Sequence, residues 1–421
     1  MTSETHRAID AVWRIESARL IAGLARIVRD VGLAEELAQD ALVKALESWP
    51  AAGIPENPGA WLMTTARHRA IDHLRRGKRT ERKHEELGIE LAEREQQVPD
   101  LDARIDDDIG DDLLRLVFTS CHPLLSTEGR VALTLRLLGG LSTEEIARAF
   151  LVPEATVAQR IVRAKRTLAD AKVPFEVPRG DELGPRIASV LEVIYLVFNE
   201  GYSATVGEDW MRPGLCEDAL RLGRILAGLA PTQAEVHGLV ALMELQASRI
   251  GARTTASGTP ILLLDQQRGL WDQLLIRRGL AALARGEELA PAGTRGPYVL
   301  QAAIAACHAR ARTAADTDWV RIAALYAILV IAMPSPVIEL NRAVAVGMAF
   351  GPTLALELVD ALVEDEALDG YHLLFAVRAD LLAKLGRLEE ARHDLERAAA
   401  LTRNGREREL LLARAASYPA P

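Results

Sequence analysis

Pro58-Gly59-Ala60-Trp61-Leu62-Met63-Thr64-Thr65-Ala66-Arg67-His68-Arg69-Ala70-Ile71-Asp72-His73-Leu74-Arg75-Arg76 is the stretch on which the reading of the fold turns. Leu62, Ala66, Ala70 (or Ile71) and Leu74 recur at helical spacing, so one face is apolar and meets a core. Asn57 suits the N-cap and Pro58 the first helical position, where a missing N–H removes nothing the helix uses. Arg67, Arg69, Arg75, Arg76, Lys78, Arg79, Arg82 and Lys83 make the helix and its exit basic, opposed only by Asp72 and Glu81. A basic surface of this kind attracts phosphates, and each neutralised phosphate releases a counterion. Trp61 near the helix start can stack on an unpaired base, worth roughly 1–3 kcal/mol. A buried Trp behind a merely solvated basic face satisfies the same pattern.

Outward from this helix the chain stays helical. Val12 to Val31 and Ala34 to Trp49 precede it. In the second of these, Leu37, Ala41, Leu42, Ala45 and Leu46 form the apolar stripe. Glu35, Glu36, Gln39 and Asp40 form an acidic face, suited to a basic protein partner rather than to DNA. Ala, Leu, Arg and Glu dominate the 421 residues, and alternating Val/Ile/Thr runs are nearly absent, so the fold class is all-α. The formal charge of −9 argues against a nucleic-acid binder only as an average, because charge is segregated along the chain. The acidic residues gather at 83–110, where Gln96-Gln97-Val98-Pro99 breaks any helix, and this segment reads as a solvated linker.

A second helical module follows at 111–173, with helices at Asp111 to Cys121, Thr127 to Leu138, Thr143 to Phe150 and Glu154 to Lys172. Ser142 and Glu145 have the spacing of a capping box. In the last helix Val157, Ile161, Ala164 and Leu168 share an apolar back. Thr156, Gln159, Arg160, Arg163 and Arg166 (or Thr167) project from another side. An apolar back with a hydrogen-bonding front is what a major-groove reader needs: Gln reads adenine, and Arg reads guanine or holds phosphate. A helical hairpin with no DNA role fits the same spacing.

The two modules resemble the sigma-70 superfamily of RNA polymerase sigma factors, in its extracytoplasmic-function branch. The Ala-Glu-x-Leu-x-Gln-Asp helix and the Ala-Trp-Leu helix with its trailing Asp-x-Leu-Arg-Arg are similar to region 2, over residues 1–82. Glu-Glu-Ile-Ala and Thr-Val-x-x-Arg-x-x-Arg-Ala-Lys are similar to region 4, with Leu151 and Ala155 where most relatives carry Gly. The resemblance implies that Glu36, Gln39 and Asp40 bind core RNA polymerase. It implies that Trp61, His68, Asp72, Arg75 and Arg76 read the −10 element of promoter DNA, His68 standing where many relatives have Asn. It implies that Thr156, Gln159, Arg160, Arg163 and Arg166 read the −35 element.

Residues 183–421 continue as one helix after another, with starts near Leu183, Pro213, Thr232, Gln266, Pro297, Asp318, Pro336, Pro352, Tyr371, Leu388 and Arg406. Gly386-Arg387-Leu388-Glu389-Glu390-Ala391, then Leu395 and Ala398, match the second half of a tetratricopeptide unit. Gly351 lies one repeat length upstream of Gly386, and Trp319, Ile322, Ala323 and Tyr326 reproduce the start of a unit. The extension resembles that of a sigma subgroup with a tetratricopeptide-like C-terminal domain, and is expected to tune activity. Asn199-Glu200-Gly201-Tyr202, Leu264 to Arg268 with Trp271-Asp272, Gly296-Pro297-Tyr298 and Leu340 to Ala343 carry that likeness. Asp265, Arg268, Asp272 and Asn341 are buried-pair or cap residues, or contacts to a ligand or protein.

There is no Walker loop, HExxH or nucleophile elbow, so neither catalysis nor a metal or other cofactor is expected. Cys121, Cys216 and Cys307 fit no disulfide framework, and read as buried thiols of a cytoplasmic protein. No apolar run is long enough to span a membrane, and Met1 to Asp10 lack a signal pattern. The sequence identifies no anti-sigma partner. Two other readings stay open: a stand-alone helix-turn-helix regulator with a repeat sensor domain, and a repeat scaffold whose basic helices bind protein or RNA.

Overall fold

The computed structural model describes residues 2–85, 105–150, 152–203, 211–255, 259–291, 293–364, 368 and 370–418. Among them the regular elements are all helical, apart from one isolated bridge between Thr254 and Pro260. The chain divides into two compact units, residues 1–194 and 195–421.

The first unit holds α1 (Thr2–Val28), α2 (Val31–Ala52), α3 (Pro58–Glu85), α4 (Ile105–Ser120), α5 (Thr127–Leu137), α6 (Thr143–Phe150) and α7 (Glu154–Asp170). Side-chain caps set the helix starts. Asp30 Oδ1 accepts from Leu33 N at 2.8 Å, and Asn57 Oδ1 accepts from Ala60 N at 3.0 Å. The expected capping box is made reciprocally: Ser142 N donates to Glu145 Oε2 at 2.8 Å, and Glu145 N to Ser142 Oγ at 3.1 Å. On α3 Leu62, Ala66 and Ala70 are buried as the spacing predicts, whereas Ile71 and Leu74 are exposed. The helix outruns the core it packs on. Both ends of the expected 83–110 linker are helical, because α3 reaches Glu85 and α4 begins at Ile105; residues 86–104 lie outside the described residues. Gln96 to Pro99 and Leu151 lie outside the described residues.

The two modules of this unit are joined through buried charge. Glu35 on α2 was expected on the solvated acidic face, but it is only 3% exposed. Its carboxylate accepts from Arg136 Nε of α5 at 2.7 Å, and lies 2.5 Å from Lys165 Nζ of α7. The second approach is an ion contact rather than an aligned hydrogen bond. Gln39 Nε2 completes the shell at 2.7 Å. A second pair, Arg26 of α1 with the buried Asp112 of α4 at 3.2 Å, repeats the arrangement.

The second unit begins within α8 (Leu183–Tyr202) and continues through α9 (Pro213–Leu229), α10 (Ala234–Ala247), α11 (Gln273–Leu289), α12 (Pro297–Arg310), α13 (Trp319–Ala332), α14 (Pro336–Phe350), α15 (Pro352–Leu362), α16 (His372–Lys384), α17 (Leu388–Leu401) and α18 (Gly405–Ala416). Gly351 and Gly386, one repeat length apart in sequence, both stand at helix–helix turns with φ of 106° and 78°, a region that glycine enters without a Cβ penalty. Ala379, Ala391, Leu395 and Ala398 are buried between α16 and α17. One expected start is corrected. Near Gln266 the chain makes two short 3-10 turns, Leu263–Asp265 and Arg268–Leu270, and α11 begins only at Gln273. Asp272 decides this, its Oδ1 accepting from Leu274 N at 2.7 Å and Leu275 N at 3.0 Å. The cysteines are buried, and burial pushes the Cys216 thiol up to about 12.

Substituting Glu35→Ala leaves Arg136 and Lys165 facing each other without a carboxylate. The cost falls near the lower end of the about 3–5 kcal/mol typical for breaking a buried pair, because both cations keep some solvent. Hydrogen exchange should accelerate across α2, α5 and α7 and leave residues 195–421 unchanged. Unaltered exchange in the first unit would contradict the assignment.

Candidate nucleic-acid interface

The solvent-facing side of α3 carries His68, Arg69, Asp72 and Arg75, all exposed. The helix presents them because its small residues, Ala66 and Ala70, take the buried side. Arg76 continues the helix, but its side chain lies outside the described residues. Trp61 is half-buried, its ring centroid 5.3 Å from that of Trp49 in a T-shaped arrangement, and Trp49 is 2% exposed. Trp61 is therefore neither sequestered nor free: one aromatic neighbour fixes it in the core while part of the ring reaches solvent. Arg69 is tied to α2 by an ion pair with Asp40 at 2.5 Å.

On α7 the division is as the spacing anticipates. Val157, Ile161, Ala164 and Leu168 are buried; Gln159, Arg163 and Arg166 are exposed, and Thr156 and Arg160 half-buried. Thr156, Gln159, Arg160 and Arg163 line a groove of about 520 Å³ that Leu124, Ser126 and Glu128 close from the α5 side. Without Gly at 155, Pro153 supplies the extended residue that starts α7, at φ −58° and ψ 141°. Arg166 leans on Asp170 at 3.4 Å, and both are exposed. An exposed pair of this kind contributes little stability and leaves the guanidinium available to an anion.

On α2 Glu36 and Asp40 are exposed, while Gln39 turns inward to Glu35. The acidic face is narrower than the sequence reading allowed, and more apolar. Val43, 52% exposed, and Leu46, expected in the apolar stripe, are solvent-exposed beside it among the described residues. Helical spacing from Glu36 through Asp40 to Val43 carried that signal, but Val43 reads as core when hydrophobicity alone is scored. Exposed aliphatic side chains flanked by acids make a surface that a basic, partly apolar protein can cover.

A family model described as "Sigma-70 region 2" matches residues 15–80, and one described as "Sigma-70, region 4" matches residues 115–168. A third, a family of unknown function (DUF6596), matches residues 186–287. An uncharacterized protein of Rhizobium meliloti is 45% identical over 387 residues, which cover 91% of this chain and 89% of the relative. The "ECF RNA polymerase sigma factor SigK" of Mycobacterium ulcerans is 30% identical over 152 residues, covering 34% of this chain and 75% of that protein. The "Probable ECF RNA polymerase sigma factor SigI" of Mycobacterium tuberculosis is 25% identical over 172 residues, covering 41% and 58%.

Proposed function

The chain belongs to the extracytoplasmic-function type of the sigma-70 family, and we propose that it chooses promoters with two separate cationic helix faces while a third surface holds core RNA polymerase. It is a sigma factor that directs transcription initiation. The observation that carries the division of labour is the opposite use of two exposed helix fronts. The α7 front is rich in groups that read base edges, and the α3 front is basic beside a surface tryptophan.

In this reading Thr156, Gln159, Arg160, Arg163 and Arg166 dock the −35 duplex, with Gln159 and the arginines at base edges and phosphates. Trp61, His68, Asp72, Arg75 and Arg76 take the opened −10 strand, where phosphate attraction and base stacking work together. Glu36 and Asp40, with Val43 and Leu46 beyond them, bind core polymerase, and Gln39 acts from behind by holding Glu35. Residues 1–82 and 111–173 are the two promoter modules, 83–110 connect them, and 183–421 form a tetratricopeptide-like regulatory extension. The protein works in the cytoplasm, where promoter and polymerase are. No helix among the described residues is long and apolar enough to cross a membrane.

The two faces have separable signatures. Gln159→Ala should relax discrimination at one base pair by about 1–3 kcal/mol, whereas Arg166→Ala should weaken all −35 sequences alike and lower the salt slope by about 0.9. Binding of holoenzyme to promoter variants across a salt series measures both. An equal loss on every sequence for Gln159→Ala would contradict base reading.

Charge reversal at Arg75 and Arg76 should leave core binding intact and suppress strand opening, read as permanganate reactivity of −10 thymines. Opening at the wild-type level would remove α3 from the −10 role.

A further inference from the structure

Four motifs that the promoter-facing helices leave unused converge within residues 195–421: Tyr202, the Arg268 to Trp271 segment, α12 from Pro297, and Asn341. They surround a cavity of about 200 Å³ between α10, α12, α13 and α14. Its polar lining includes Arg249, Trp271, Gln301, His308 and Asn341, and its apolar walls include Leu245 and Leu329. Tyr202 stands behind this lining and accepts from Arg249 Nε at 3.1 Å.

The lining is positive: it includes Arg249 and no carboxylate, and Asp316 acts on Arg268 from outside it. Among the described residues neither Arg249 nor Arg268 ion-pairs with a carboxylate. Arg249 lies 5.7 Å from the Tyr202 ring centroid and 5.7 Å from that of Trp271. Arg268 lies 4.9 Å from the Trp271 centroid and donates to the carbonyls of His308, at 2.5 Å, and Ala311, at 3.1 Å. Both guanidiniums are therefore held by rings and dipoles, which leave their charge in place. Burial, and then Arg249 and Arg268, push His308 down to about 4, so its ring is neutral near pH 7.

The lining also has unused hydrogen-bonding capacity. Trp271 is 3% exposed, and among the described residues its Nε1–H has no partner. His308 Nδ1 is likewise buried and unpartnered. Buried polar atoms are nearly always satisfied, so two orphans on one cavity offer hydrogen bonds to a molecule bound there.

We propose that this cavity binds a small organic acid, whose carboxylate meets Arg249 and the Trp271 Nε1–H while its apolar body lies against Leu245 and Leu329. The arginines repel metal ions and amines. The aliphatic walls offer inorganic phosphate nothing to bury. The volume is below the roughly 300–1,000 Å³ of pockets for drug-sized molecules, which restricts the ligand to a compact one. His308 Nδ1 and the side-chain amides of Gln301 and Asn341 favour a hydroxyl or amide on that body. The site is independent of the promoter-binding assignment.

Calorimetric titration of the full chain with benzoate and with hexanoate tests this, with benzyl alcohol and inorganic phosphate as the uncharged and wholly polar counterparts. At least one of the two carboxylates should bind saturably at a single site, and more tightly than benzyl alcohol or phosphate. Arg249→Gln should weaken that binding about 10- to 100-fold. Ala305→Leu, which fills the cavity from its own wall, should abolish it and decides the matter if Arg249→Gln disturbs folding. The proposal is overturned if neither carboxylate saturates, if benzyl alcohol or phosphate binds as tightly, or if Ala305→Leu binds like the parent chain.

Discussion

The carboxylate of Glu35, nearly out of water, faces Arg136 and Lys165 from the other helical module, and its burial fixes how both modules of residues 1–194 are held. A charge removed from solvent is tolerated only when opposite charge and hydrogen bonds surround it. Here the compensation comes from two helices far along the chain, with Gln39 as the local third. Because Lys165 is committed to Glu35, the front of α7 is left to Gln159, Arg163 and Arg166. Asp40 pairs with Arg69 at the surface, and the α3 face presents His68, Asp72 and Arg75 beside it. Of these ion pairs, the one around Glu35 is buried, and that of Arg69 with Asp40 lies at the surface.

Much of this was legible residue by residue. The α7 back, the Ser142–Glu145 box, the Asn57 cap and the start of α14 at Pro336 each follow from local chemistry, which sequence spacing states directly. What stayed hidden depends on partners distant in the chain. Glu35 sits among Glu36, Gln39 and Asp40 on a helix that looks uniformly acidic, and only Arg136 and Lys165, about a hundred or more residues later, single it out. Trp61 shows the same limit: its helix position was clear, but the ring contact with Trp49 decides how much of it reaches solvent. Start signals also misled once, near Gln266, where the stronger cap at Asp272 holds the helix back.

Residues 195–421 bury alanine and leucine between successive helices, with glycine at turns such as Gly351 and Gly386. Against that background, a cavity lined by arginine, tryptophan and neutral histidine departs from what packing requires. Local choices in folded proteins tend to agree with the global fold, and the places where they do not are where function is expected. The faces of α3 and α7 are the equivalent places in the first unit, since concentrated positive charge there opposes the net negative charge of the whole chain.

Run-off transcription with purified core RNA polymerase and a genomic fragment library is the most direct measurement of the central claim. Adding the full chain should produce discrete start sites that core enzyme alone does not make, with a shared −35 and −10 sequence upstream of each. A transcript pattern identical with and without the chain would contradict it.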